Sequence, residues 1–228
     1  MPLNKGDFIL LNLTVKVKDT GEIIETTFEK IAKETKIYQE SKIYEPILVV
    51  LGEGRLLEKV EEEILLMNLG ESKVIELEPE KAFGQRDPSK IKVIPARELT
   101  SKGISLKPGI KIETDEGLGI VRSIGSGRVI IDLNHPLAGK TLIYEVHVVK
   151  KIEDLREKLL ALIHRRVPSI DVSKFNLKIE NTRLVIELPS EIYSLEDLQR
   201  IKRSIVNDIE KHFKNVIKRV EFTEIYDV

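Results

Sequence analysis

The chain predicts an α+β protein in three parts: an antiparallel sheet around one short helix, a small all-β unit inserted into it, and a C-terminal α-β-β-α-β domain. Three observations carry that expectation. Long period-two alternation opens the chain and resumes only over Leu142–Ile152, which has no nearby partner except the opening sheet. Between the two, from about Asp87 to Leu133, the texture changes to short strands cut by glycine. Beyond Glu153, two helical stripes flank a hairpin.

Taken in order, Phe8 to Lys18 alternates, with Ile9, Leu11, Leu13, Val15 and Val17 on one face and Phe8, Leu10, Asn12, Thr14 and Lys16 on the other. Asp19-Thr20-Gly21 turns it, and a polar, irregular segment is expected from Thr26 to Glu45. Pro46 to Leu51 reads as a strand, broken by Gly52 and Gly54. Leu56, Leu57, Val60, Ile64 and Leu65 then fall at helical spacing, ended by Asn68 and Gly70. Ser72 to Glu78 is a further strand. In the insert, Ile110 to Thr114, Leu118 to Ile124 and Arg128 to Leu133 are strands joined by Asp115-Glu116-Gly117 and Gly125-Ser126-Gly127. Leu155, Leu159, Leu162 and Ile163 form a helix face with acids at its start and arginines at its end, as the helix dipole favours. A hairpin over Lys174–Leu188 follows. Ser194 with Asp197 reads as a capping box for a helix striped by Leu195, Leu198, Ile201, Ile205, Ile209 and Phe213, and Val216 to Ile225 is the last strand.

Composition excludes several classes of function. Lys plus Arg number 37 against 38 Asp plus Glu among 228 residues, so the electrostatic footprint of a nucleic-acid binder is missing. The α-β-β-α-β tail has the element order of some RNA-binding domains, but it lacks their GXXG loop, and its charges balance. There is no cysteine, which removes disulfides, thiolate metal sites and a cysteine nucleophile and makes the cytoplasm the default compartment. No run approaches the roughly 20 apolar residues a membrane span needs. His135, His147, His164 and His212 show no ligand spacing, so neither metal nor cofactor is expected.

Three motifs, LGEGRLLEKVEE at 51–62, PEKAFGQRDPSK at 79–90 and NHPLAGKTLIYEV at 134–146, stand in an order and spacing that resembles an FKBP-type peptidyl-prolyl isomerase of the SlyD-like branch, in its long archaeal form. The resemblance implies a half-barrel sheet wrapped on a helix (1–86 and 135–152), an insert-in-flap chaperone domain (87–134), and a C-terminal domain (153–228). It implies isomerisation of X-Pro bonds in unfolded or nascent polypeptides. The C-terminal domain is read as a client-binding or homodimerisation module, because the exposed edge of a small sheet pairs readily with a second copy.

Carried over residue by residue, the resemblance puts Thr14, Ile24, Glu25, Phe83 and Tyr144 at the catalytic site and Ile47, Leu56, Leu57, Val60 and Leu137 around the substrate. Taken alone, the aliphatic members read as plain core. The family usually has Tyr at Thr14, Phe-Asp at Ile24-Glu25 and Tyr at Phe83. These departures imply weaker catalysis than is typical of the family. They also leave a second reading open, a holding chaperone with little isomerase activity.

Overall fold

A computed structural model describes residues 2–101 and 103–226. The chain forms two compact units, one of Met1–Lys16, Glu22–Ile75 and Tyr144–Val228, the other of Val17–Gly21 and Glu76–Ile143. It is mixed α+β with antiparallel sheets, as its patterning predicts, and with a parallel pair near the C-terminus.

The elements are β1 (Phe8–Val17), β2 (Ile23–Thr26), α1 (Glu29–Glu34), β3 (Ile47–Val50), α2 (Glu58–Leu65), β4 (Ser72–Leu77), β5 (Ile91–Pro95), α3 (Ala96–Ser101), β6 (Lys111–Thr114), β7 (Gly117–Gly125), β8 (Arg128–Asp132), β9 (Leu142–Ile152), α4 (Leu155–Arg166), β10 (Asn176–Glu180), β11 (Arg183–Glu187), α5 (Leu198–Phe213) and β12 (Arg219–Thr223). The principal sheet runs β2-β1-β9-β4, and β3 also pairs with β1. Phe8–Leu11 face β3 and Thr14–Lys16 face β2, so the two short strands share one long neighbour. The returning strand β9 inserts beside β1, the partner its isolation in sequence required.

Both faces of β1 are covered at its start. Ile9, Leu11, Leu13 and Val15 are essentially inaccessible on one side. On the other, Phe8 joins Leu48, Val50, Ile152 and Leu162 in a separate apolar cluster, with Leu10, Ala161 and Phe213 packed against it. That second cluster belongs jointly to the principal sheet and to α4 and α5. The C-terminal core itself gathers Leu159, Ile163, Phe175, Leu184, Ile186, Ile205 and Ile209, and β12 lies parallel to β11.

Four expectations are corrected. The segment expected to be irregular contains α1, a helix of six residues that buries only Ala32, too short to show a stripe. The insert is not all-β: α3 follows β5, and Leu99 of α3 enters the core formed by Ile112, Val121, Val129 and Ile131. The capping box at Ser194 does not form. Ser194 Oγ donates to the Glu191 carbonyl within a 3₁₀ turn, and α5 starts only at Leu198. The last strand is β12, shorter at both ends than Val216–Ile225.

Candidate functional site

The register of β1 against β2 pairs Val15 with Glu25 and Lys16 with Ile23, so Ile24 is the extra residue of a β-bulge. Bulges re-aim side chains, and this one carries two of the candidate residues. Ile24 is half-buried and Glu25 exposed. Lys42 Nζ stands 4.0 Å from the Glu25 carboxylate. Tyr144, on β9, is 8% exposed. Burial, and then the negative charge of Glu25, push its hydroxyl above the usual tyrosine pKa, so it remains a protonated donor at neutral pH. That hydroxyl makes no hydrogen bond to another described residue, whereas a buried tyrosine usually finds a partner.

Ile47 opens β3, half-buried. Leu56 and Leu57 lead into α2, also half-buried, and their loop is pinned by Glu61, whose carboxylate accepts from Gly52 N at 2.9 Å and Leu56 N at 3.3 Å. Gly52 and Gly54 take positive φ in this turn, +86° and +76°, which is why the sequence breaks there with glycine. Val60, on the first turn of α2, is fully buried. Thr14 is apart from Tyr144. Its hydroxyl meets that of Thr26 at 2.9 Å, and it lines a pocket with Asn12, Glu145 and His147. Successive residues of a strand face opposite ways, so Glu145 and Tyr144 lie on opposite faces of β9, and Thr14 shares the Glu145 face.

In the smaller unit the two ends of the insert meet. Asn134 accepts from Asp87 N and donates to the Asp87 carbonyl, both at 2.9 Å, and Gly139 N donates to the Gly84 carbonyl at 2.8 Å. Asp132, 1% exposed, pairs with Arg86 and Arg122. Burial works to raise its pKa, but hydrogen bonds from Asn134 and Arg122 and the Arg86 charge outweigh this and hold it below the usual carboxylate range. The Phe83 ring, 36% exposed, stacks on His135 with centroids 4.1 Å apart and planes within 5°. His135 Nδ1 in turn accepts from Leu137 N at 3.2 Å, and Leu137 is half-buried.

A peptidyl-prolyl cis-trans isomerase of Methanocaldococcus jannaschii, described as short-type, is 34% identical over 146 residues, covering 64% of this chain and 92% of that protein. The chain belongs to the FKBP-type peptidyl-prolyl cis-trans isomerases. An FKBP-type 16 kDa isomerase of Escherichia coli K12 is 30% identical, covering 62% of this chain and 89% of its own length. A SlyD of Helicobacter pylori is 29% identical over 53% of this chain and 66% of that one. Family models described as "FKBP26, IF domain" and "FKBP26_C-terminal" match residues 92–137 and 155–227. The protein is therefore a prolyl isomerase of this family.

Among the described residues no group of three or more His, Asp or Glu is arranged to hold a metal ion, and no helix is long and apolar enough to cross a membrane. Sequence reasoning passed over three residues that the fold places here. Lys42 and Arg55 border the Glu25 region, and burial, followed by the charge of Arg165, pushes the Arg55 pKa down, with Glu25 and Glu53 opposing. The third is His135, under Phe83. It lies inside the 134–146 motif, where an aromatic ring able to pair with Phe83 is the signal.

Proposed function

We propose that this isomerase acts on X-Pro bonds of unfolded or partly folded polypeptides, held by the inserted domain (87–134) while the bond is rotated at the FKBP-like domain (1–86 and 135–152). One observation carries the reading. β5 and β8 expose Ile91, Val93 and Ile130 on one face, Val93 directly opposite Ile130 in register, with Val93 57% exposed. Cross-strand apolar pairs left in water mark a surface that binds chain. β5 is also an edge of the β5-β8-β7-β6 sheet, open to strand addition by an extended client. Local capture raises the concentration of X-Pro bonds near the catalytic residues without any new contact there. A chain without cysteine suits a reducing cytoplasm.

The chemistry asks little of the protein. Rotation breaks no σ bond, and the barrier of roughly 18–20 kcal/mol is lost amide resonance. An apolar surround disfavours the polar planar amide, and each ~1.4 kcal/mol of preference for the twisted form gives about tenfold in rate. Ile24, Ile47, Leu56 and Leu57 supply apolar surface, over Val60. The Tyr144 hydroxyl donates to a substrate carbonyl, in the role that Phe83 cannot fill, and Glu25 orients the peptide. The assignments of Thr14, Phe83 and Leu137 rest on the resemblance alone. Residues 153–228 are the interaction or homodimerisation module. Replacing residues 87–134 by a short loop tests the proposal. Catalysis of a protein refolding step limited by an X-Pro bond should fall far more than catalysis on a short peptide, and an equal fall in both would refute capture by the insert.

A further inference from the structure

A cavity of about 400 Å³ lies in the larger unit, between the segment that precedes β3 and the C-terminal end of α4. Leu10, Ile43, Ile47, Leu48, Ala161 and Pro168 make its wall apolar. Its charged lining is lopsided: Lys42, Arg55 and Arg165 face a single carboxylate, Glu45. Glu45 is already engaged, by His164 Nε2 at 2.6 Å. Arg165 is held by Glu53 at 2.7 Å and Asp208 at 3.1 Å, and its Nε is buried without an acceptor. Arg55 has no hydrogen bond or ion pair with any described residue. Arg55 is exposed on the rim of the cavity, where Arg165 and Arg166 work against its charge and Glu53 and Glu25 favour it. Lys42 lies 4.0 Å from the Glu25 carboxylate and over the Tyr44 ring, 5.4 Å from its centre. The lining is therefore short of negative charge, although Gln39, Ser41 and the unpartnered His164 Nδ1 supply neutral polar groups, and a guanidinium beside two other arginines gains from an incoming anion.

The apolar wall fixes what the anion is attached to. A free inorganic ion would leave most of the cavity unfilled, whereas a carboxylate on an aliphatic stem, flanked by an apolar residue, uses both kinds of surface. Ile47 lines this cavity and belongs to the proposed prolyl site, and Lys42 joins the cavity to Glu25. We propose that the cavity is an accessory subsite for the substrate polypeptide, receiving an acidic side chain near the X-Pro bond, with Arg55 and Lys42 meeting its carboxylate and α4 forming the far wall. This rests on the prolyl-site reading above, and it gives the C-terminal domain a direct part in choosing substrates.

The test uses the full chain and peptides sharing one X-Pro core, acetylated and amidated, with Glu or Gln two residues before or two residues after the bond. A further Gln peptide carries a free C-terminal carboxylate. Exchange NMR gives kcat/KM for each. One Glu peptide should exceed its Gln counterpart about fivefold at low salt, the size of effect an ion pair at a half-open site supplies. That ratio should approach one at ~0.5 M salt, where the Debye length is short. It should collapse in Arg55→Gln and survive in Arg55→Lys. Equal turnover of Glu and Gln peptides at both positions overturns the subsite while leaving the prolyl site standing, as does a ratio unchanged in Arg55→Gln. A gain confined to the free-carboxylate peptide also overturns it, in favour of recognition of a chain terminus. Absence of turnover on every peptide refutes the prolyl site, and this subsite with it.

Discussion

Replacing Glu53 by Gln should weaken the larger unit by about 2 kcal/mol at pH 7, with a pH dependence of defined sign. Glu53 sits in the turn after β3, its side chain 12% exposed, and meets Arg165 at 2.7 Å, Lys211 at 3.1 Å and His212 at 3.2 Å. Burial alone would raise its pKa, but hydrogen bonds from Arg165 and Lys211 and the Arg165 charge reverse this and bring it from 4.5 to about 2. A fall of ~2.5 units at 1.36 kcal/mol per unit sets a ceiling of ~3.4 kcal/mol. The carboxamide keeps one acceptor for Arg165, which brings the expected loss to ~2 kcal/mol. Because the folded pKa is the lower one, this stabilisation is present above pH 4.5 and disappears as pH falls toward 2. Urea unfolding of wild type and Glu53→Gln between pH 7 and 3 should therefore show a gap that narrows on acidification. A gap below ~0.5 kcal/mol at pH 7, or one that stays constant down to pH 3, would refute the reasoning, since exposed ion pairs contribute about that little.

Tyr144→Phe should lower kcat/KM on an X-Pro peptide by about three- to tenfold, the loss of one donor hydrogen bond, while urea stability stays within ~0.5 kcal/mol because the hydroxyl has no hydrogen-bond partner among the described residues; an unchanged rate would remove Tyr144 from the site. Val93→Ser with Ile130→Ser should lower the ratio of protein-refolding to short-peptide activity by about fivefold, as loss of apolar contact area at a capture surface predicts. Equal effects on both substrates would count against the exposed pair as that surface. In Gly119→Ala the new Cβ would lie 2.5 Å from Ile131 Cγ2 and 2.9 Å from Leu133 Cδ2, and such overpacking costs about 1–3 kcal/mol, readable by urea unfolding of the smaller unit; a neutral outcome would mean that the core yields there.

Patterning makes the long elements of this chain legible. β1, β9, α4 and the body of α5 each repeat their apolar period several times, and β9 announces the return of the chain because nothing near it in sequence can pair with it. The short elements carry no such record. In α1 a single buried alanine is the whole internal signal, and β5 is exposed at alternate positions and ends in proline. Ser194 and Asp197 have capping-box spacing and so predict too early a start for α5, because Ser194 is taken up by the preceding 3₁₀ turn. At the site, motif register points to Glu25 and Tyr144, which the fold brings within electrostatic reach of each other. It points equally to Thr14, which faces the other way, since alternation assigns a face without naming which face holds substrate. Lys42 is one charged residue among many in a polar loop, and Arg55, though inside the 51–62 motif, carries no sign there of what it faces; only tertiary structure sets them around one cavity.

The outer face of β1 decides how the C-terminal domain should be regarded. Phe8 is 3% exposed although it belongs to the alternate set, the one that would face water in a half-buried strand. It is covered by α4 and α5: Leu162 shares its cluster, Phe213 lies 5.7 Å away ring to ring, and His212 approaches edge-on at 5.3 Å. Leu48, Val50 and Ile152 are buried in the same cluster. Deleting residues 153–228 would thus return several large apolar side chains of the principal sheet to water, at ~1.5–3 kcal/mol for each that was fully buried. A truncated chain should consequently unfold at lower urea and bind a hydrophobic dye even where its isomerase residues are intact. Loss of activity on truncation would then measure the stability of the sheet as much as any client binding by the removed domain. Polar substitutions on the outer surface of α5, away from this cluster, are the way to separate the two. If the truncated chain instead kept wild-type stability, the Phe8 cluster would be a contact of little energetic consequence and the domain a tethered accessory.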